Sequence, residues 1–124
     1  ITATLDMRCP VHADLAAIER AARENLPGFT FCEAETKAPH HVPADTELVS
    51  NLLAAYHEET GLPAQAQSTG GGTYAKVLKQ GVAFGAAFPD DEDLAHQANE
   101  YATLSGLMKA AHIYANALMR LCGE

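Results

Sequence analysis

The sequence predicts an α/β fold, with a β-α-β unit first and then a helix-rich half that carries a buried strand. Three observations predict it. Residues 1–8 alternate apolar and polar, residues 15–26 carry apolar side chains at helical spacing, and a small-residue run at 81–88 lies between two longer helical patterns.

Each element has a local cause. Ile1, Ala3, Leu5 and Met7 fall on one face of an extended chain, with Thr2, Thr4, Asp6 and Arg8 on the other, the pattern of a half-buried strand. Pro10 stops it, because proline cannot donate to a ladder. Leu15, Ile18, Ala22 and Leu26 recur every three or four residues, with Asp14 placed to cap that helix and Pro27-Gly28 to end it. Phe29 and Phe31 open a second strand that is expected to run out near Pro39. Residues 39–43 read as a connector.

Asp45 is expected to cap a helix bearing Leu48, Val49, Leu52, Leu53 and Tyr56, closed by Gly61 and Pro63. A short extended piece at 64–68 leads into Gly70-Gly71-Gly72 and a helix of about two turns ending at Leu78. Gly81 to Phe88 reads as a buried strand. The final helix starts near Thr103 and carries Leu104, Leu107, Met108, Ala111, Ala115, Leu118 and Leu121, with Gly123 at its C-cap.

Composition narrows the function. The 124 residues match one ordinary domain, and a hydrophobic share of 48% argues for a core rather than for disorder. The net charge of −8 arises from 16 acids against 8 bases with no basic cluster, which excludes nucleic-acid phosphate and anionic membrane as partners. No apolar run nears the roughly 20 residues that span a bilayer. Cys9, Cys32 and Cys122 are too scattered for a disulfide framework or a Cys-type zinc cluster, and read as thiols of a reducing, cytoplasmic compartment. The chain opens Ile-Thr-Ala-Thr with no leader pattern, as a fragment beginning inside a strand would.

The chemistry concentrates between Gly70 and Glu100. Three glycines at the mouth of a helix let backbone approach a ligand and offer free N–H groups, or they form only a tight turn. Ser68, Thr69 and Thr73 add hydroxyls that suit either reading. Gly70-x-Gly72-x-x-Ala75 also matches a loose dinucleotide fingerprint, with Asp90 or Asp91 where a ribose-binding acid sits, but the preceding segment is short and polar.

His96 follows Asp90, Asp91, Glu92 and Asp93, and is either a metal-capable imidazole or an exposed ring in an acidic loop. Asn99 and Glu100 lie near enough in sequence to orient it. Arg8 offers a planar fork for a carboxylate, or pairs with Asp6 on its own strand face. His12, His40, His41, His57 and His112 read as structural or surface residues; Asp14 beside His12 is better explained as a cap.

Taken together, the run STGGGTYAKVLKQGVAFGAAFPDDEDLAHQANEY at 68–101 resembles the C-terminal region of peptidase V-type dipeptidases. These belong to the aminoacylase, carnosinase and carboxypeptidase G family of co-catalytic zinc hydrolases. The resemblance extends to LDMRCP, similar to the second half of the family's lid, and to KAPHHVPADTELVSNLL, similar to the return into its catalytic domain.

The resemblance implies a fold and a division of labour. It implies a fragment: a β-α-β half of a ferredoxin-like lid at 1–43 and the C-terminal α/β part of a zinc-peptidase catalytic domain at 44–124. His96 matches the family's last zinc ligand, with Asn99 and Glu100 supporting it. Arg8 matches the lid arginine that grips the substrate carboxylate, and Gly70, Gly71, Gly72 and Thr73 match a loop lining the substrate pocket. Two zinc ions, a bridging aspartate and a general-base glutamate are implied for the intact enzyme, but these other ligands and the base precede this segment, so no catalytic residue is assigned here. His12 and Asp14 are not given those roles.

The implied activity is hydrolysis of dipeptides or short peptides, with the N-terminal remainder of the enzyme as partner. The isolated chain is expected to be inactive and to self-associate. The competing expectations are a non-catalytic acidic association module and, more distantly, a dinucleotide-binding fragment.

Overall fold

A computed structural model describes every residue except Glu33, Ala34, Thr36, Ala86 and Glu124. The chain divides into two compact units, Ile1–His41 and Val42–Glu124.

The first unit is organised by one helix, α1 (Leu15–Asn25). Asp14 caps it as its position predicts, its carboxylate accepting from the N–H of Ala17 at 3.0 Å. Leu15, Ile18 and Ala22 are half-buried along one face, and no residue of α1 is fully buried. Glu19 and Arg23, one turn apart, form an ion pair at 2.6 Å. The Arg23 guanidinium also lies 4.8 Å from the centre of the Phe31 ring, covering an otherwise exposed aromatic.

The second unit is a helix pair, α2 (Glu47–Thr60) and α3 (Leu104–Cys122). Thr46, not the expected Asp45, caps α2, accepting from the N–H of Val49 at 3.4 Å. Gly61 ends it in the left-handed region at φ 68°, a conformation that favours glycine. Thr103 caps α3 through a 3.0 Å bond from the N–H of Gly106, and the Gly123 N–H closes it on the Met119 carbonyl.

The core between them is small-residue packing: Val49, Leu52 and Ala55 of α2 against Ala110, Ile113 and Ala117 of α3. Ala55 is 0% exposed, so the helices meet where neither presents bulk. Polar contacts then fix the pairing at one end, where Asn116 donates to Glu58 and Glu59 at 3.0 and 3.1 Å and Arg120 pairs with Glu58.

Two corrections to the sequence reading stand out. Among the described residues no strand forms, so the expected α/β architecture is a helical one in this chain. Residues 1–8 and 29–32 form no strand ladder, and part of the second expected strand lies outside the described residues. Alternation shows which face would be buried, but a strand also needs a neighbour to accept its backbone bonds. Ile1, Leu5 and Met7 accordingly remain exposed.

Residues 81–88 show the same logic in a milder form, though Ala86 lies outside the description. Val82 and Phe84 pack on the Leu52–Ala55–Ala117 cluster while Ala83 and Gly85 face outward, a period-two pattern without a partner strand. Tyr114 partly replaces the missing ladder, donating its hydroxyl to the Phe84 carbonyl at 3.2 Å.

The second correction concerns α3. The face expected to be its core, with Leu104, Leu107, Met108, Ala111, Ala115, Leu118 and Leu121, is exposed; the buried side carries Ala110, Ile113 and Ala117. This helix is apolar around most of its circumference, so periodicity alone cannot choose which side meets α2.

Candidate functional site

The glycine turn sits in the second unit and leads into a 3-10 turn, Tyr74–Val77, rather than the expected helix of two turns. Thr73 has no capping bond, and the Gly71 N–H folds back on the Thr69 hydroxyl at 3.2 Å. None of Gly70, Gly71 and Gly72 has a positive φ, so their backbone does not demand glycine. A Cβ at Gly70 would meet nothing within 4 Å, and one at Gly72 would meet only the flexible tip of Lys76 at 3.1 Å. Neither torsion nor crowding inside the described chain accounts for the three glycines. Close approach by something outside it remains the physical use of a missing side chain.

Beside this turn lies an open, mostly apolar groove of about 570 Å³ lined by Thr73, Tyr74, Val77, Leu78, Val82 and Phe84. Tyr74 and Val77 are largely exposed on its wall. The sequence reading selected Thr73 for this neighbourhood and missed the apolar residues. Their signal was present, since the run from Tyr74 to Leu78 puts large apolar groups on an element too short to bury them.

The acidic loop is more ordered than its charge suggests. Asp91 closes a turn, with its N–H donating to the Phe88 carbonyl at 3.0 Å and its carboxylate accepting from the Phe88 N–H at 2.8 Å. Tyr101 reaches back to Glu92 at 3.2 Å, tying the two ends of the 92–101 segment together. The Glu92 charge, and then that hydrogen bond, push the Tyr101 hydroxyl above its ordinary pKa. This clamp was not foreseen, because nothing in sequence spacing pairs a tyrosine with an acid nine residues away.

His96 and Asn99 are the only described non-glycine residues with positive φ, at 64° and 63°. His96 is exposed, its N–H donating to the Glu100 carboxylate at 3.2 Å. Two left-handed residues within one short loop are a local strain of the kind that collects at functional positions. The loop is held meanwhile by Gln97, whose N–H donates to Leu94 at 2.9 Å and whose side chain donates to the Asp93 carbonyl. The structure therefore brings His96, Asn99 and Glu100 into one turn through backbone geometry.

Arg8 belongs to the first unit. It pairs with Asp6 at 3.6 Å, the partner that the alternation places on its side of the chain, and both side chains are exposed. Among the histidines read as structural, His57 bears this out, its Nδ1 lying 2.8 Å from the Leu62 carbonyl just beyond the end of α2.

Comparison with known proteins settles the family. The profile of Peptidase family M20/M25/M40 matches residues 9–120. The chain belongs to this peptidase family.

Named relatives of this M20/M25/M40 chain agree with one another. "Putative dipeptidase YtjP" of Bacillus subtilis is 41% identical over 117 residues, which cover 94% of this chain and 25% of the relative. A "Putative dipeptidase" of Staphylococcus epidermidis is 44% identical over 109 residues, or 87% of this chain and 23% of the relative. The chain thus spans about a quarter of the length of the curated relatives it matches. No solved structure matches it significantly.

The resemblance read from the glycine-to-histidine run is borne out at the level of the family. Among the described residues of this M20/M25/M40 sequence, no three His, Cys, Asp or Glu side chains converge to hold a metal ion, and no helix is long and apolar enough to cross a membrane.

Proposed function

We propose that this chain is a segment of a zinc-dependent dipeptidase, in which residues 1–43 serve the lid and 44–124 the catalytic domain. Family membership supports peptide hydrolysis, and the dipeptidase names of the relatives support short peptides with a free C-terminus as substrates. Under this reading the protein is cytoplasmic, and its other zinc ligands and its general base come from polypeptide outside this sequence.

The observation that carries the proposal is the His96 loop. An exposed imidazole on a strained, hydrogen-bonded turn has no packing task within the described chain, and it is a donor of the type that zinc takes. One imidazole fits one ligand position and no more. Zinc in such a site polarises the substrate carbonyl and lowers the pKa of a bound water.

The chain's own residues contribute orientation. Glu100 ties down the backbone of His96, Asn99 holds the turn in its left-handed form, and the glycines with Thr73 offer bare backbone to a peptide. Arg8 exchanges its exposed, weak contact with Asp6 for the substrate carboxylate, which positions the scissile bond rather than reacting with it. The glycines open a four-residue 3-10 turn, which offers no helix N-terminus to the pyrophosphate of a dinucleotide.

The test is dipeptide hydrolysis by a polypeptide of the relatives' full length that carries this sequence. His96→Ala should abolish turnover. Arg8→Ala should raise KM for free dipeptides and leave C-terminally amidated substrates unaffected. Unchanged kinetics in both variants would refute the assignment.

A further inference from the structure

The loop that carries His96 is anchored to α3 at both of its ends. Phe88, half-buried at one end, lies beneath the Lys109 ammonium of α3, 4.5 Å from its ring centre. Tyr101 stands at the other end, two residues before the Thr103 cap. From there its hydroxyl donates to the Glu92 carboxylate at 3.2 Å. The other ties described within the loop span four residues or fewer: Asp91 to Phe88, Gln97 to Asp93 and Leu94, and Glu100 to Gln97 and His96. Those shape individual turns. The bond between Tyr101 and Glu92 spans nine residues, and His96 lies near the middle of the ring it closes.

We propose that Tyr101 is a positioning residue: by holding Glu92 it fixes the ends of the 92–101 segment and so sets where the His96 imidazole leaves the chain. The inference rests on the reading of His96 as a zinc ligand and deepens it. The physical argument is pre-organisation. A turn with two left-handed residues, His96 and Asn99 at φ 64° and 63°, is strained and relaxes when its ends part. Closing the segment across nine residues removes conformations in which the turn is open, so less ordering is left for ligand binding to accomplish. Two consecutive residues serve this end, Glu100 on the His96 N–H and Tyr101 on Glu92, so release of one loosens the footing of the other. The Glu92 charge raises the Tyr101 pKa, and the hydroxyl therefore remains a donor.

The experiment uses the full-length polypeptide carrying this sequence, in two measurements. In the metal-free protein, Tyr101→Phe should speed amide exchange at His96, Gln97 and Glu100 by about two- to tenfold, the range that one net hydrogen bond supplies. The amides of α3 should keep their protection, because Tyr101 is exposed and lies outside that helix. Equilibrium zinc binding to the same variant should weaken by a similar factor. Glu92→Ala should match it, and the double variant should be no worse than either alone. Glu92→Gln should retain most of the original behaviour, since an amide oxygen still accepts from the hydroxyl. Unchanged exchange in Tyr101→Phe overturns the proposal. So does faster exchange with unchanged zinc affinity, or a Glu92→Gln variant as impaired as Glu92→Ala. His96→Ala separates this failure from that of the underlying reading. If it too leaves zinc binding intact, His96 is no ligand; if it alone weakens binding, His96 stands and only the role of Tyr101 falls.

Discussion

The Glu100 carboxylate accepts the backbone N–H of His96 at 3.2 Å, four residues ahead of it, and so closes a turn that two left-handed residues make possible. The bond acts on the backbone rather than on the ring. Its effect is to fix where the imidazole leaves the chain while keeping both ring nitrogens for another partner.

That relationship makes Asn99 a sensitive position. Asparagine tolerates the left-handed region better than most residues, and a β-branched residue does not. Asn99→Val should destabilise the turn by about 1–2 kcal/mol, whereas Asn99→Gly should be nearly neutral. Hydrogen exchange at the His96, Gln97 and Glu100 amides reads this directly. Faster exchange is expected in the valine variant alone.

Acid should weaken the α2–α3 pairing. The Arg120 guanidinium, helped by the Asn116 amide, holds the Glu58 carboxyl below its ordinary range. A depressed folded-state pKa contributes stability above the unfolded value, and that contribution disappears as pH falls through the folded value. Glu58→Gln should therefore lower neutral stability slightly, as expected for an exposed pair, and flatten the acid limb of a stability-versus-pH curve by the same small amount. Denaturant titrations between neutral and strongly acidic pH provide the check.

The core itself is tight at one point. Ala55 is 0% exposed between the two helices. Ala55→Leu should separate them at a penalty of about 1–3 kcal/mol, despite adding apolar surface. A lower thermal midpoint by circular dichroism would agree, and an unchanged or higher one would show that the core has room.

The α3 cap offers a calibrated comparison. Thr103→Ala removes the oxygen that accepts from Gly106 at 3.0 Å and should cost about 1 kcal/mol. Thr103→Ser should retain most of that, read from the same thermal midpoint.

Much of this was legible in the residues, though unevenly. Caps and stops were largely readable because they are local: Asp14 and Gly61 act within one turn of themselves, although the α2 cap is Thr46, one residue past the expected Asp45. Strands were not, because the alternation at 1–8 and 81–88 records a preference for pairing and not the presence of a partner. The long helix misled for a related reason, since a helix apolar on two sides displays two candidate cores. At the site, the residue types were readable but the torsions were not. Nothing in AHQANEY spells out the positive φ of His96 and Asn99, although both residue types adopt it more readily than most.

The central claim is that His96 ligates zinc in a hydrolytic site completed by polypeptide outside this sequence. It is tested most directly by equilibrium zinc binding to a full-length polypeptide carrying the sequence, with His96 intact or changed to alanine. A loss of at least one zinc equivalent in the variant, with its fold intact by circular dichroism, is the predicted result. Equal stoichiometry and affinity in both proteins would contradict it.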